Sequence, residues 1–336
     1  ELGADLLAFH GKPEELIGTL CAKYDVTEVY HHREVAYRET RISELVEAAL
    51  WKQKINLKHF IGHTLYHKED LPIPIKDIPD NFAAFKKKVE KESFVRPIID
   101  PIETIVTHPH LEHTQVPTLQ DLGFQADTPL NSDRLPGGEY NALQAIRRTL
   151  SPDYNEIDDY NLVSPYIAVG AVSPTFYYHK IKAAYTPNKK KKYDRLILRL
   201  LWQDYFRFML KKYPNIFFKD HDQLSDVSKS ALSLHKWLED TSEYPVIQNL
   251  KTTMQQTGNL PYAHREILAA HMLQHLEVNH LAGARVFEEF FLDYAPATVY
   301  GYWLHFTQKG MSLKDNLKTG WEDLIKKNYT APISAK

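Results

Sequence analysis

A single cysteine, Cys21, is the only thiol in this chain of 336 residues. An internal disulfide framework is therefore excluded, and a reducing compartment is the natural setting. Cys21 falls late in a helical pattern and reads as structural. No apolar run reaches the ~18 residues of a spanning helix, and no secretory signal is visible. The expectation is a soluble, cytoplasmic monomer with no membrane partner. Excess charge is lacking too: a formal net charge of −2 gives no global pull toward nucleic acid, so such binding would need a local patch. There is no internal repeat and no low-complexity segment. The chain also lacks an initiator methionine, and its first residues read as the end of a short helix entering a strand, which suggests a trimmed or truncated start.

What is present is ordinary globular composition, 43% hydrophobic and 25% charged, in a length that suits two domains. Aromatic residues are plentiful (20 Tyr, 15 Phe and 5 Trp), most of them after Pro136. The centre of the pattern is Arg195–Phe218. From Leu196 to Leu210 it is apolar on nearly every side, as in a helix buried within a larger protein. Arg195, Arg199, Gln203, Arg207 and Lys211 interrupt it every four residues, forming a slowly winding polar ridge. Cations on a core helix need a partner: solvent, a carboxylate such as Asp204, or an anionic ligand.

Residues 1–62 alternate between strand and helix periods. Ala4–Phe9, Thr27–His31 and Asn56–Ile61 read as strands, Pro13–Tyr24 and Tyr37–Lys54 as helices. That order implies a truncated parallel sheet in an α/β, Rossmann-like domain. Residues 63–136 are rich in proline, with one clear helix over Asn81–Glu92, and read as a long interdomain linker. Its His108, His110 and His113 resemble a metal tract but lack a fourth ligand and a frame, so a solvated loop is expected. Residues 137–336 read as all-helical. Helices are expected over Glu139–Leu150, Ser173–Tyr185, the central helix, Ser230–Glu239, Pro245–Gln256, Tyr262–His280, Gly283–Leu292 and Thr298–Thr307. Asn188–Lys192 is expected as a solvated loop because neighbouring like charges repel.

The order of motifs resembles the DNA photolyase/cryptochrome family, its DASH branch most closely. GKPEEL (Gly11–Leu16), VYHHREV (Val29–Val35), TLYHKEDLPIP (Thr64–Pro74) and FAAFKKKVE (Phe82–Glu90) are similar to the antenna domain and its exit. PGGEYNAL (Pro136–Leu143), SPYIAVGAVSP (Ser164–Pro174), LLWQDYFRFMLKKYPNIFF (Leu200–Phe218), TGNLPYAHRE (Thr257–Glu266) and DYAPATVYGYW (Asp293–Trp303) look like landmarks of the flavin domain. The resemblance implies an all-helical domain holding FAD, an α/β domain able to carry an antenna pigment, and DNA as a candidate partner. The family enzyme would be a deoxyribodipyrimidine photolyase, acting on a dimer extruded from the helix.

Residue by residue, the resemblance is incomplete. In the phosphate-anchoring loop Tyr160–Pro165, only Ser164 keeps the family's hydroxyl pattern. Trp202 stands where photolyases pack a tryptophan on the flipped dimer, although a core tryptophan fits the apolar surroundings equally. The family's dimer-binding acid is Arg199 here, and the arginine after the tryptophan is Gln203. Its Asn-Arg pair facing substrate is Tyr262–Ala263. Arg265 and its acidic partner Asp293 are kept. The asparagine opposite the reactive ring nitrogen is Val299, and another acid is Ala295. Trp303 matches the inner member of the electron relay, while the middle position is His280. His264, His271 and His275 share one helix face, as a metal or acid site requires and as core or surface histidines also do. Two functions follow. One is a flavoprotein for light-driven DNA repair or blue-light signalling. The other is a photolyase-like binding protein that has lost FAD and repair.

Overall fold

The computed structural model describes residues 4, 6–124, 135–151, 154, 159–220, 226–307 and 319–329. The chain forms two compact units, Glu1–Gly62 with Pro97–Leu130, and His63–Arg96 with Asn131–Lys336. The proline-rich stretch 63–136 therefore contributes to both.

In the first unit, helix α1 (Pro13–Lys23), strand β1 (Glu28–His32), helix α2 (Tyr37–Trp51) and strand β2 (Asn56–Phe60) follow in order. The strands pair in parallel, from Glu28 opposite Asn56 to His32 opposite Phe60. Cys21, Val46, Leu50 and Ile55 form the core, with Ile17, Val26, Val29 and Leu57 packed against it. Burial pushes the Cys21 thiol up, in keeping with an inert structural thiol. The strand expected over Ala4–Phe9 is not formed by its described residues. The Ala8 amide donates to Thr114 Oγ1 at 2.8 Å rather than to a ladder, and Leu6 is exposed. The sheet thus has two strands among the described residues. His108, from the histidine tract, lies edge-on to Tyr24 at 5.5 Å.

The second unit is helical. Helix α3 (Phe82–Glu92) is capped by Asn81, whose side-chain oxygen accepts from the Ala84 amide at 3.0 Å. Then come α4 (Glu139–Leu150), α5 (Ser164–Ala168), α6 (Pro174–Ala184), α7 (Lys190–Lys212) and α8 (Val227–Glu239). They are followed by α9 (Pro245–Thr257), α10 (Tyr262–Gln274), α11 (His280–Phe290), α12 (Pro296–Phe306) and α13 (Trp321–Asn328). Ser173 caps α6 by accepting from the Phe176 amide. Gly258 ends α9 in the left-handed conformation, φ 65°, which glycine adopts without strain.

Two helix boundaries differ from expectation. The lysine run is partly helical: α7 begins at Lys190, and Lys192 is buried, its amine donating to the Tyr154 carbonyl at 2.7 Å. A buried partner outweighs the repulsion expected of neighbouring lysines. The helix expected over Tyr262–His280 ends early, at Gln274 in α10, and the next one, expected from Gly283, starts at His280 in α11. Glu277 takes φ 50°, and the Asn279 side chain caps α11 by accepting from the Leu281 amide at 2.8 Å. Helices α5 and α13 were not anticipated.

Helix α7 is the core of this unit, with Leu196, Leu200, Leu201, Phe206 and Met209 fully enclosed. Asp204, also buried, does not serve the ridge alone. It accepts from the backbone amides of Leu65 (2.9 Å) and Tyr66 (2.8 Å), tying segment 63–66 to the helix. Burial pushes its carboxyl up to about 7, against those two hydrogen bonds and the charge of Arg207. His271 shifts the opposite way, down to about 4, because burial and neighbouring His275 disfavour its cation.

The two groups oppose each other with pH. A raised carboxyl contributes stability that is full below its unfolded value near 4 and lost as pH rises through 7. A depressed histidine contributes stability that is full above 6.5 and lost as pH falls toward 4. The wild-type pH profile should therefore be flattened between pH 4 and 6.5. Asp204→Asn removes the first group and should unmask the second. The stability difference between variant and wild type should change by up to ~4 kcal/mol across pH 4 to 7 in urea titrations; parallel curves would contradict this assignment.

Candidate functional site

The second unit contains a cavity to which α7, α10, α11 and α12 each offer one face. Arg199 and Gln203 come from α7, one turn apart, and Tyr262 and Arg265 from the start of α10. Phe287 comes from α11, and Thr298, Val299, Tyr302 and Phe306 from α12. A short 3₁₀ turn, Asp159–Leu162, adds Tyr160 and Asn161, and Ser164 and Asp293 complete the wall. Of the residues singled out from sequence, Ser164, Arg199, Gln203, Tyr262, Arg265, Asp293 and Val299 meet here. Trp202 and Trp303 do not line it.

One charged cluster organises the wall. Arg265 Nη1 donates to Asp293 Oδ1 at 2.8 Å, and its Nε donates to the Leu260 carbonyl at 2.9 Å. Ser164 Oγ donates to the second carboxylate oxygen at 2.7 Å. The Arg265 guanidinium lies 4.1 Å from the centre of the Phe291 ring. The Arg265 and Asp293 side chains are only 13% and 11% exposed, so they are a nearly buried and fully partnered pair. Ser164 is thus oriented by Asp293.

Across the cavity, the Arg199 guanidinium stacks 3.5 Å above the Tyr262 ring. The Tyr302 hydroxyl oxygen accepts from both Arg199 and Tyr262, and the two tyrosine rings are 4.7 Å apart. Burial drives all three cavity tyrosines, Tyr160, Tyr262 and Tyr302, above their ordinary range, so they stay neutral donors. Tyr160 is 8% exposed, and its hydroxyl has no partner among the described residues. Asn161 Oδ1 is likewise unpartnered. Two orphaned polar atoms on a cavity wall call for a polar ligand or water.

Both tryptophans singled out from sequence sit behind the wall. Trp303 is fully buried and meets the cavity through Phe287, edge to face at 5.0 Å. Trp202 has one face stacked on Phe82 (3.6 Å, 9° between planes) and the other near Phe206 (5.3 Å). It reaches the cavity through Tyr302, 6.0 Å away. Two further positions singled out from sequence, Ala295 and His280, do not line the cavity, and His280 is buried.

Two family profiles match: DNA photolyase over residues 1–105, and the FAD binding domain of DNA photolyase over residues 196–319. The chain belongs to the DNA photolyase/cryptochrome family. Among its relatives, a cryptochrome DASH from Xenopus laevis is 31% identical over 94% of this chain and 64% of its own length. One from Danio rerio is 30% identical over 94% and 65%. The chain thus spans less than two thirds of these relatives. The solved Synechocystis cryptochrome superposes with a TM-score of 0.86 at 25% identity, covering 97% of this chain and 71% of that one. A class III photolyase from Agrobacterium tumefaciens shares the fold at 18% identity, TM-score 0.73.

The helical unit therefore carries the family's FAD-binding domain, and the cavity's orphaned groups, the Tyr160 hydroxyl and the Asn161 carboxamide oxygen, suit a polar ligand such as a dinucleotide. Tyr160 and Asn161 lie outside the small-hydroxyl and basic pattern that the resemblance implies for the anchoring loop. Their hydrogen-bonding groups just before Ser164-Pro165 were the available signal. The three-histidine face does not assemble a site. No three metal-ligating residues converge among the described residues, and His271 is enclosed by Trp237, Tyr244 and Trp321.

Proposed function

We propose that this chain is a blue-light flavoprotein of the cryptochrome DASH type, with FAD held in the cavity of the helical unit. The observation that carries the reading is the convergence of Ser164, Asp293 and Arg265 with the orphaned groups of Tyr160 and Asn161 on one wall. Bound there, FAD supplies blue-light absorption and one-electron chemistry. The chain's part is to bind and orient. Tyr160, through its hydroxyl, and Asn161, through its carboxamide, would hold the ligand, and the Arg265–Asp293 pair would fix the wall beside it. Val299 has no hydrogen bond to offer a flavin nitrogen. Trp303, behind Phe287, and Trp202, behind Tyr302, are the proposed redox-active rings nearest the cavity.

Light sensing is the proposed use rather than dimer repair. Both faces of Trp202 are covered by Phe82 and Phe206, and Arg199 stands where a dimer-binding carboxylate is expected. DNA is the proposed macromolecular partner, by phosphate contact rather than base extrusion. Exposed Lys190 and Lys191 at the start of α7 and Lys87 on α3 are available for it. No helix among the described residues is long and apolar enough to cross a membrane, and a cytoplasmic monomer is proposed.

Illumination tests the reading. FAD-loaded protein should give a blue-light-dependent absorbance change while leaving a thymine-dimer oligonucleotide unrepaired. Its binding to undamaged DNA should weaken steeply from 50 to 200 mM salt. Dimer reversal, or a light-insensitive flavin spectrum, would overturn the proposal.

A further inference from the structure

The cavity's chemistry suits a dinucleotide, but its free space does not. About 60 Å3 of it can be reached by the centre of a water molecule, room for about four to six waters. A dinucleotide displaces many times the volume of those waters. Tyr262, Arg199 and Tyr302, from three helices, pack against one another on its wall. Tyr262 is the member without precedent in the family's pattern, which places an asparagine there. Its ring is held between the Arg199 guanidinium at 3.5 Å and the Tyr302 ring at 4.7 Å, and its hydroxyl donates to Tyr302.

We infer that Tyr262 is a plug that closes the cavity to FAD, and that the dinucleotide enters only when this ring swings away from Arg199 and Tyr302. The inference rests on the flavin reading above. The three groups form a bistable element rather than passive filling. In the closed state they satisfy one another through a cation–π stack and two hydrogen bonds to one oxygen. In the open state Arg199, Gln203 and Tyr302 are left to face the ligand. Closure lowers the apparent affinity for FAD by the fraction of molecules that are open, a cost that a pre-opened variant does not carry. Tyr262 therefore selects against the family's own cofactor, while Tyr160, Asn161 and Ser164 select for it.

The test compares FAD affinity in wild type, Tyr262→Ala and Tyr262→Phe by quenching of flavin fluorescence, with circular dichroism confirming the fold. Tyr262→Ala should bind FAD at least tenfold tighter than wild type. Tyr262→Phe keeps the ring and loses only one hydrogen bond, so it should stay within about threefold. If Tyr262→Ala is folded and binds no tighter, the plug is refuted while the flavin reading stands. If neither protein binds FAD, the flavin reading fails and the plug falls with it. Binding by Tyr262→Ala alone upholds the plug and refutes FAD as the wild-type ligand. Should Tyr262→Ala not fold, wild-type stopped-flow kinetics decide the matter. An uptake rate that saturates with FAD reports the opening step, and a rate rising linearly to millimolar FAD contradicts it.

Discussion

Asp293→Ala is expected to destabilise the helical unit by about 3–5 kcal/mol, the range for removing one partner of a buried ion pair. The carboxylate serves two donors from different parts of the chain, Arg265 at 2.8 Å and Ser164 at 2.7 Å. Alanine leaves a guanidinium that is 13% exposed with only the Leu260 carbonyl and the Phe291 ring, and a buried hydroxyl with nothing. Asp293→Asn keeps one acceptor oxygen of the two that Arg265 and Ser164 use and loses the charge, so it should cost less than alanine, about 1.5–3 kcal/mol. Urea denaturation followed by circular dichroism separates the two. A loss under 1 kcal/mol for the alanine variant would show that the pair is solvated and that the wall is not built around it.

Gly283→Ala is expected to cost about 3 kcal/mol, at the upper end of what an added methyl costs in a packed core. A Cβ at Gly283 would stand 2.3 Å from two carbons of the Trp303 ring, which is itself fully buried. Neither α11 nor α12 can yield freely: Phe287, one turn along α11, packs edge-on against the same indole. For a unit of this size the loss corresponds to a fall in Tm of about 6–12 °C. Trp303→Phe removes the clashing part of the ring. In the double variant the two costs should therefore be well below additive, with a coupling of at least 1 kcal/mol. Strict additivity would mean that α11 and α12 separate rather than interlock. Because Phe287 lines the cavity, Gly283→Ala should also weaken ligand binding, whereas Asp204→Asn, on the far side of α7, should not.

Much of the fold was legible because its signals are local. Ser173-Pro174 announces the start of α6, Gly258 the end of α9, and the all-round apolar run of α7 announces burial. Where the sequence misled, a long-range partner decided the outcome. Lys192 is helical and buried because the Tyr154 carbonyl, 38 residues away, accepts its hydrogen bond. Ala4–Phe9 has the composition of a strand, but Ala8 finds a threonine hydroxyl 106 residues on. The break at Glu277 depends on one left-handed residue, which periodicity does not encode.

The site divides the same way. Ser164, Arg265 and Asp293 were readable because motif order carries them; Arg265 pairs with Asp293, and Ser164 joins the same carboxylate. Tyr160 and Asn161 were not, because their value lies in one buried oxygen each that has no partner among the described residues. The puzzle of Arg199, a cation on a core helix, also needed three dimensions. Its nearest counterpart is a ring 63 residues away on another helix, and no spacing rule predicts that stack.

The measurement that tests the account most directly is the visible spectrum of the purified protein after incubation with FAD and gel filtration. The account predicts retained flavin bands near one FAD per chain, strongly reduced in Asp293→Ala. A colourless wild-type protein at saturating FAD, with its fold intact, would contradict it and leave a photolyase scaffold that binds something else.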